Sequence, residues 1–263
     1  MKKKTIIANW KLNGNKTMIT DFLLNLHKHL TLEELHLLNI VIAFPNIYLN
    51  FAANILSDLG LNISLCAQDV SYHSIGSFTG ETSVHMLKEN QVKYVIVGHS
   101  ERRLYHNETD LVILKKFIKI KDANLIPILC IGETLKDKQN QKTNTILQNQ
   151  LEKLIKKFGN TILNNSIIAY EPIWAIGSGQ SAQIEEICQV HNFIKKYITS
   201  FNEVTNNSTI LNNFAIHYGG SVNEKNIDIF MNKNNIDGVL VGNASLMSGS
   251  FIKIIKKFAK KQH

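Results

Sequence analysis

The sequence predicts a closed eightfold β/α barrel, (β/α)8, running as a single domain over residues 1–263. Three observations carry that reading. Eight short runs of aliphatic and β-branched residues recur along the chain, and stretches of helical periodicity separate them. Spread over 263 residues, eight units take about 33 residues each, the size a strand–helix pair of such a barrel needs.

The runs are Thr5–Ala8, Asn39–Ala43, Asn62–Cys66, Tyr94–Val97, Leu125–Cys130, Ser166–Ala169, Phe214–His217 and Gly238–Val241. Each is nearly continuous in apolar character, as parallel strands covered on both faces are. Between them, Phe22–Leu30, Leu111–Ile118 and Ile184–Ile198 repeat apolar residues at helical spacing. An open doubly wound sheet is the alternative architecture. No GxGxxG follows the first strand, and no linker or low-complexity segment marks a second domain. The pairs Asn206-Asn207, Asn212-Asn213 and Asn234-Asn235 fall where loops belong.

Composition narrows the class. Hydrophobic residues make up 44%, enough for a large core, yet no run approaches the ~20 apolar residues of a membrane span. The start, Met1-Lys2-Lys3-Lys4, resembles a signal peptide's charged end, but the apolar patch after it is short and broken by Asn9, Lys11 and Asn13. The chain reads as cytoplasmic. Cys66, Cys130 and Cys188 form no CxxC pair, which argues against a disulfide framework or zinc site, and Cys66 and Cys130 read as core thiols. A net charge of +8 fits either an anionic partner or solvated helix-face lysines such as Lys115-Lys116 and Lys156-Lys157. The second is favoured, because no nucleic-acid motif accompanies the charge. The amphipathic Phe251–Phe258 reads as a helix packed on its own barrel rather than on a membrane.

Barrels of this kind place their chemistry at the carboxyl ends of the strands. After the first strand come Asn9 and Lys11, and after the fourth His99-Ser100-Glu101-Arg102-Arg103. Tyr170-Glu171-Pro172 follows the sixth, Tyr218-Gly219-Gly220-Ser221 the seventh and Gly242-Asn243-Ala244-Ser245 the eighth. One cation, one imidazole and one carboxylate therefore converge on one rim, with Glu171 the candidate base. The two glycine turns can cradle a phosphate on backbone N–H groups, or merely cap helices. Pro172-Ile173-Trp174 is a stiff entry to the small-residue tip Ala175-Ile176-Gly177-Ser178-Gly179, a lid able to swing on short hinges. His217 reads as structural. The helix-borne His27, His29, His36, His85, His106 and His191 show no ligand spacing, so no metal is assigned.

With those motifs in hand, the chain resembles the triosephosphate isomerase family from Ile7 to its last helix. The resemblance rests on Asn9-Trp10-Lys11, Gly80-Glu81, Val97-Gly98-His99-Ser100-Glu101-Arg102-Arg103, Ala169 through Gly177, Tyr218-Gly219-Gly220-Ser221-Val222 and Val241-Gly242. It implies a TIM barrel that isomerises dihydroxyacetone phosphate and glyceraldehyde 3-phosphate without metal or cofactor. It also implies roles. Glu171 moves the proton between carbons, and a neutral His99 acts on the oxygens. Lys11 and Asn9 stabilise the enediolate, and Glu101 orients the cluster through Lys11. Gly177, Ser221, Gly242 and Asn243 bind the phosphate, and Pro172–Gln180 closes as the lid. The stretch Gln68–Glu81 resembles the family's interface loop, which implies a homodimer with Thr79 reaching the partner. Neither nucleic acid nor membrane is implied.

Three positions depart from the family pattern. Gln180 stands where the far lid hinge usually has a lysine, Ser181–Ile184 lacks a common proline, and Asn243 replaces a glycine. They bear on lid kinetics and turnover more than on the reaction. Two other functions compete. A Schiff-base aldolase with Lys11 as nucleophile fits poorly with the carboxylate and histidine. A non-catalytic binding module would have no need to keep Lys11, His99 and Glu171 together.

Overall fold

Each apolar run becomes a strand because its residues have cover on both sides. In chain order the elements are β1 (Thr5–Asn9), α1 (Lys16–His29), α2 (Leu32–Leu37), β2 (Asn39–Ala43), α3 (Leu49–Asp58), β3 (Ser64–Ala67), α4 (Val84–Glu89) and β4 (Val92–Val97). They continue with α5 (Ser100–Tyr105), α6 (Asp110–Asp122), β5 (Ile126–Ile131), α7 (Leu135–Gln139), α8 (Thr143–Phe158) and β6 (Ser166–Tyr170). The last are α9 (Ile184–Ser200), β7 (Phe214–Tyr218), α10 (Ile227–Met231), β8 (Gly238–Val241) and α11 (Ser248–Ala259). This computed structural model describes residues 3–176, 182–201, 211 and 213–260.

The strands pair in sequence order, all parallel, and β1 closes on β8. The predicted eight-stranded barrel is what forms. Alternation along the strands splits the core in two. Ile7, Val41, Cys66, Ile96, Ile128, Cys130 and Ile167 fill the barrel. Ile6, Ile40, Leu65, Val95, Leu129 and Ile168 face the helices. Cys66 and Cys130 are buried free thiols inside the barrel, as expected.

Helix starts follow local capping. Asn15, Ser83 and Thr109 each accept a backbone N–H with the side chain, and Thr31 and Thr134 form capping boxes with Glu34 and Asp137. The last helix, α11, buries Phe251, Ile254, Ile255 and Phe258 and stacks Phe251 on Phe22 of α1, so its apolar face is spent on the barrel. Among the described residues no helix is long and apolar enough to cross a membrane.

Two readings change. His106 is the residue after α5 rather than part of a helix. Lys116 is not a solvated lysine. It is 4% exposed and its Nζ donates to both carboxylate oxygens of Asp69 and to Glu108. A cation inside α6's buried face stays charged only with such partners.

His191 of α9 is fully buried. Its Nδ1–H donates to the Asn235 carbonyl at 3.0 Å, and Nε2 has no hydrogen-bond partner among the described residues. Burial pushes its pKa down from 6.5 to about 4, because a second proton would have no acceptor. Between those values the unfolded chain binds a proton that the native chain does not, so stability rises with pH across this window. We expect about 3 kcal/mol to be lost as pH falls from 6.5 towards 4. Denaturant titrations at pH 7 and pH 5 check this, and His191→Gln should flatten the slope.

Candidate active site

Every polar strand end named from the sequence that the structure describes lies on the carboxyl rim. At the end of β1 the chain makes a tight reversal. The Lys11 N–H donates to Asn9 Oδ1 at 3.0 Å, and Lys11 takes φ +53°. That left-handed conformation costs a non-glycine residue on the order of 1 kcal/mol. It is held from outside, because Gln68, after β3, donates Nε2 to the carbonyls of both Lys11 and Ala43 at 2.9 Å. From there the ammonium reaches across the rim to Glu101 Oε1, 2.7 Å away.

His99 ends the β4 turn and caps α5. The Glu101 N–H donates to its Nδ1 at 3.2 Å, which makes Nδ1 an acceptor and puts the neutral ring's proton on Nε2. Nε2 lies 3.4 Å from Glu171 Oε1. Glu171 is 1% exposed. Its backbone extends the ladder, with N–H to the Ile131 carbonyl at 2.8 Å, and its Oε2 accepts from Ser100 N–H at 3.3 Å. Its Oε1 has no hydrogen bond among the described residues. A buried carboxylate oxygen without a hydrogen-bond partner, facing an imidazole nitrogen, has the placement a general base needs.

Glycine makes this placement possible at two points. A Cβ on Gly132 would overlap the Glu171 carbonyl, and one on Gly219 would come within 2.9 Å of Glu171 Cγ. Beneath the base lies Cys130. Burial pushes its thiol well up and the adjacent Glu171 carboxylate pushes it further, so it stays a neutral S–H against the base.

The cavity beside these groups holds about 260 Å³ and is lined by Lys11, His99, Ile176, Gly219, Ser221, Gly242 and Asn243 among others. Both glycine turns therefore share this cavity with Lys11 and His99. Ser221 is not at a helix start, since α10 begins only at Ile227. The intervening turn is tied by Asn226 Nδ2 to the Ser221 carbonyl at 2.9 Å. Gly220 is required here, as a Cβ would overlap the Tyr218 hydroxyl. Asn243 opens a 3-10 turn over Asn243–Ser245 and is not among the left-handed residues.

The predicted lid is described only in its first half. Pro172 and Ile173–Ala175 form a stiff 3-10 entry, and Ile176 reaches the cavity. Gly177, Ser178, Gly179 and Gln180 lie outside the described residues. Glu133, after β5, accepts from Trp174 Nε1 at 2.8 Å and from the Tyr170 hydroxyl at 3.2 Å. Lys138 covers the indole at 3.8 Å. Glu133, Cys130 and Gln68 were given no place in this site from sequence. The strand-end rule would have reached Glu133 and Gln68. Thr79 lies in an exposed turn, away from this chain's own cavity. Among the described residues no three His, Cys, Asp or Glu side chains converge as a metal site would.

A closed parallel barrel with one open buried carboxylate, one imidazole, one cation and an anion-sized cavity on its carboxyl rim defines an acid–base enzyme of the β/α-barrel class. Comparison with known proteins narrows this. The family model for triosephosphate isomerase matches residues 4–258. The triosephosphate isomerase of Blochmanniella floridana is 46% identical over 256 residues, covering 97% of this chain and 95% of that one. Those of Buchnera aphidicola from Schizaphis graminum and from Acyrthosiphon pisum are 45% and 46% identical, each over 97% of this chain and 98% and 97% of theirs. The chain belongs to the triosephosphate isomerase family.

Proposed function

We propose that this chain interconverts dihydroxyacetone phosphate and D-glyceraldehyde 3-phosphate through an enediolate, serving glycolysis and gluconeogenesis in the cytoplasm. The observation that carries the reading is the open Oε1 of buried Glu171, 3.4 Å from His99 Nε2 at the edge of the Lys11 cavity. Glu171 takes a proton from carbon 1, and the C–H electron pair becomes the double bond between carbons 1 and 2. The carbonyl oxygen then carries the charge, which the His99 Nε2–H and the Lys11 ammonium stabilise. Return of the proton from Glu171 to carbon 2 gives the aldose. His99 moves the oxygen-borne proton between the two oxygens. Asn9 and Glu101 are positioning residues for Lys11 through the contacts above. The reaction needs a base, an acid and a cation, so the chemistry requires no cofactor.

The turns at Ser221, Gly242 and Asn243, with Gly177 of the lid, hold the phosphate in this reading. Closure of Pro172–Gln180 would exclude water and protect the intermediate. Incubation with dihydroxyacetone phosphate in D2O tests the proposal. Deuterium is expected at the exchanged carbon alongside aldose formation. The absence of both exchange and conversion would refute it.

The loop after β3 supports a homodimer. Ile75 is 94% exposed at its tip, beside Phe78 and Thr79, and with Met86 it lines an apolar cavity of about 590 Å³. Leu12 is 95% exposed in the β1 loop. A second copy would cover these groups and bring Thr79 to the partner's rim. Sedimentation is expected to report about twice the 29.8 kDa chain mass. A monomer at micromolar concentration would remove the dimer.

A further inference from the structure

The end of the barrel opposite the catalytic rim holds a second cavity, of about 450 Å³. Its wall is built from the starts of the strands: Thr5 of β1, Asn39 of β2, Ser64 of β3 and Tyr94 of β4. Lys3 and Lys93 stand at its mouth. Alternation turns Thr5, Asn39 and Tyr94 inward, in line with Ile7, Val41 and Ile96 of the barrel interior.

Asn62, Asn165 and Asn213 also line the cavity, but two hydroxyl donors on this wall are left without an acceptor among the described residues. Asn39 Nδ2 donates to the Tyr94 hydroxyl at 2.7 Å and to Thr5 Oγ1 at 3.3 Å. Each hydroxyl has thus filled a lone pair and keeps its own proton to give. Neither has an acceptor among the described residues. Tyr94 is 4% exposed. Burial pushes its phenol up from the ordinary value, which keeps it a donor. No carboxylate lines the cavity, while two lysines do. The neighbouring Lys4, by contrast, is already tied to the carbonyls of Lys233 and Ile236. Two buried hydroxyl protons and two ammonium groups around one space favour an occupant that only accepts.

We propose that this cavity is a binding site for a small oxyanion, a carboxylate or a phosphate, held by the Tyr94 and Thr5 hydroxyls with Lys3 and Lys93 as countercharge. Packed layers containing Ile7, Ile96 and Ile128 separate it from the catalytic rim. Its occupancy is therefore independent of the isomerase reading and of the phosphate cradle there.

The test is an NMR titration of the folded full-length chain at constant ionic strength, reading the Asn39 side-chain amide and the Tyr94 ring. Citrate is the probe in one arm and orthophosphate in the other. A saturable shift of both reporters is expected with at least one probe, and the arm that responds identifies the anion class. Lys93→Met and Tyr94→Phe should each weaken that binding about tenfold with isomerase turnover unchanged. Lys93 is exposed, so its variant decides the matter even if Tyr94→Phe fails to fold. No saturable shift in either arm, or equal affinity in Lys93→Met and the parent, overturns the site.

Discussion

Shortening the proposed base by one methylene, in Glu171→Asp, is expected to cut kcat by about 10²- to 10³-fold while KM changes only a few-fold. The carboxylate's seat explains why. Its backbone is fixed by the ladder bond to Ile131, and Gly132 and Gly219 pack against it too closely to let it shift. The loss of one carbon retracts the oxygens by about 1.5 Å, and the rigid backbone cannot follow. A general base contributes about 10²- to 10⁴-fold, and a misplacement near 1 Å can forfeit 10² of that. In the proposed reading affinity rests mainly on the turns at Ser221 and Gly242, which line the cavity and which the substitution does not touch. Steady-state kinetics with either triose phosphate separates the two constants. Glu171→Gln keeps the shape and removes the basicity, so it should lose at least as much. Unchanged turnover in either variant would withdraw the base assignment.

The candidate site residues were legible because a barrel maps sequence order onto position. A polar residue that ends an apolar run must lie on the carboxyl rim, whichever strand carries it. Lys11, His99 and Glu171 could be placed together without knowing any contact. Strand edges were less exact. The third run was read as Asn62–Cys66, but the ladder covers Ser64–Ala67. A tight turn from Ile63 N–H to the Leu61 carbonyl uses the first two residues.

What stayed hidden depends on partners that only barrel closure supplies. Cys130 is one more apolar residue in a strand until β6 lies beside it and brings Glu171 to its thiol. Asn243 stands where the family pattern has a glycine, yet its backbone is not left-handed in the folded chain. In Lys115-Lys116 the two lysines look alike, and only the orientation of α6 sends one to solvent and the other to Asp69, 47 residues earlier.

Removing that buried cation is the largest stability effect expected. Lys116 and Arg102 face Asp69 and Glu108 in a charge-balanced square. Lys116 bonds Glu108 Oε1 at 2.6 Å and Asp69 at 2.7 Å, and Arg102 reaches the same two carboxylates at 2.6 and 2.9 Å. Burial alone would push Glu108 up, but the hydrogen bonds from Lys116 and Arg102 hold it below the usual carboxylate range. Lys116→Met leaves one negative charge uncompensated in a site where Lys116 is 4% exposed and Glu108 9%. Orphaning one partner of a buried pair costs about 3–5 kcal/mol, which denaturant unfolding would read directly. The cost should come from the stranded charge rather than from the lost contact. Lys116→Met combined with Glu108→Gln restores balance between Arg102 and Asp69, so the double variant should recover roughly half of the loss. Additive losses in the double variant would mean that contact, not charge, sets the cost. Turnover provides the link to function. Arg102 belongs to the helix that His99 caps, and Asp69 directly follows Gln68, which braces Lys11. The single variant should therefore lose activity at temperatures well below its global unfolding, and the double variant should regain it in step with stability.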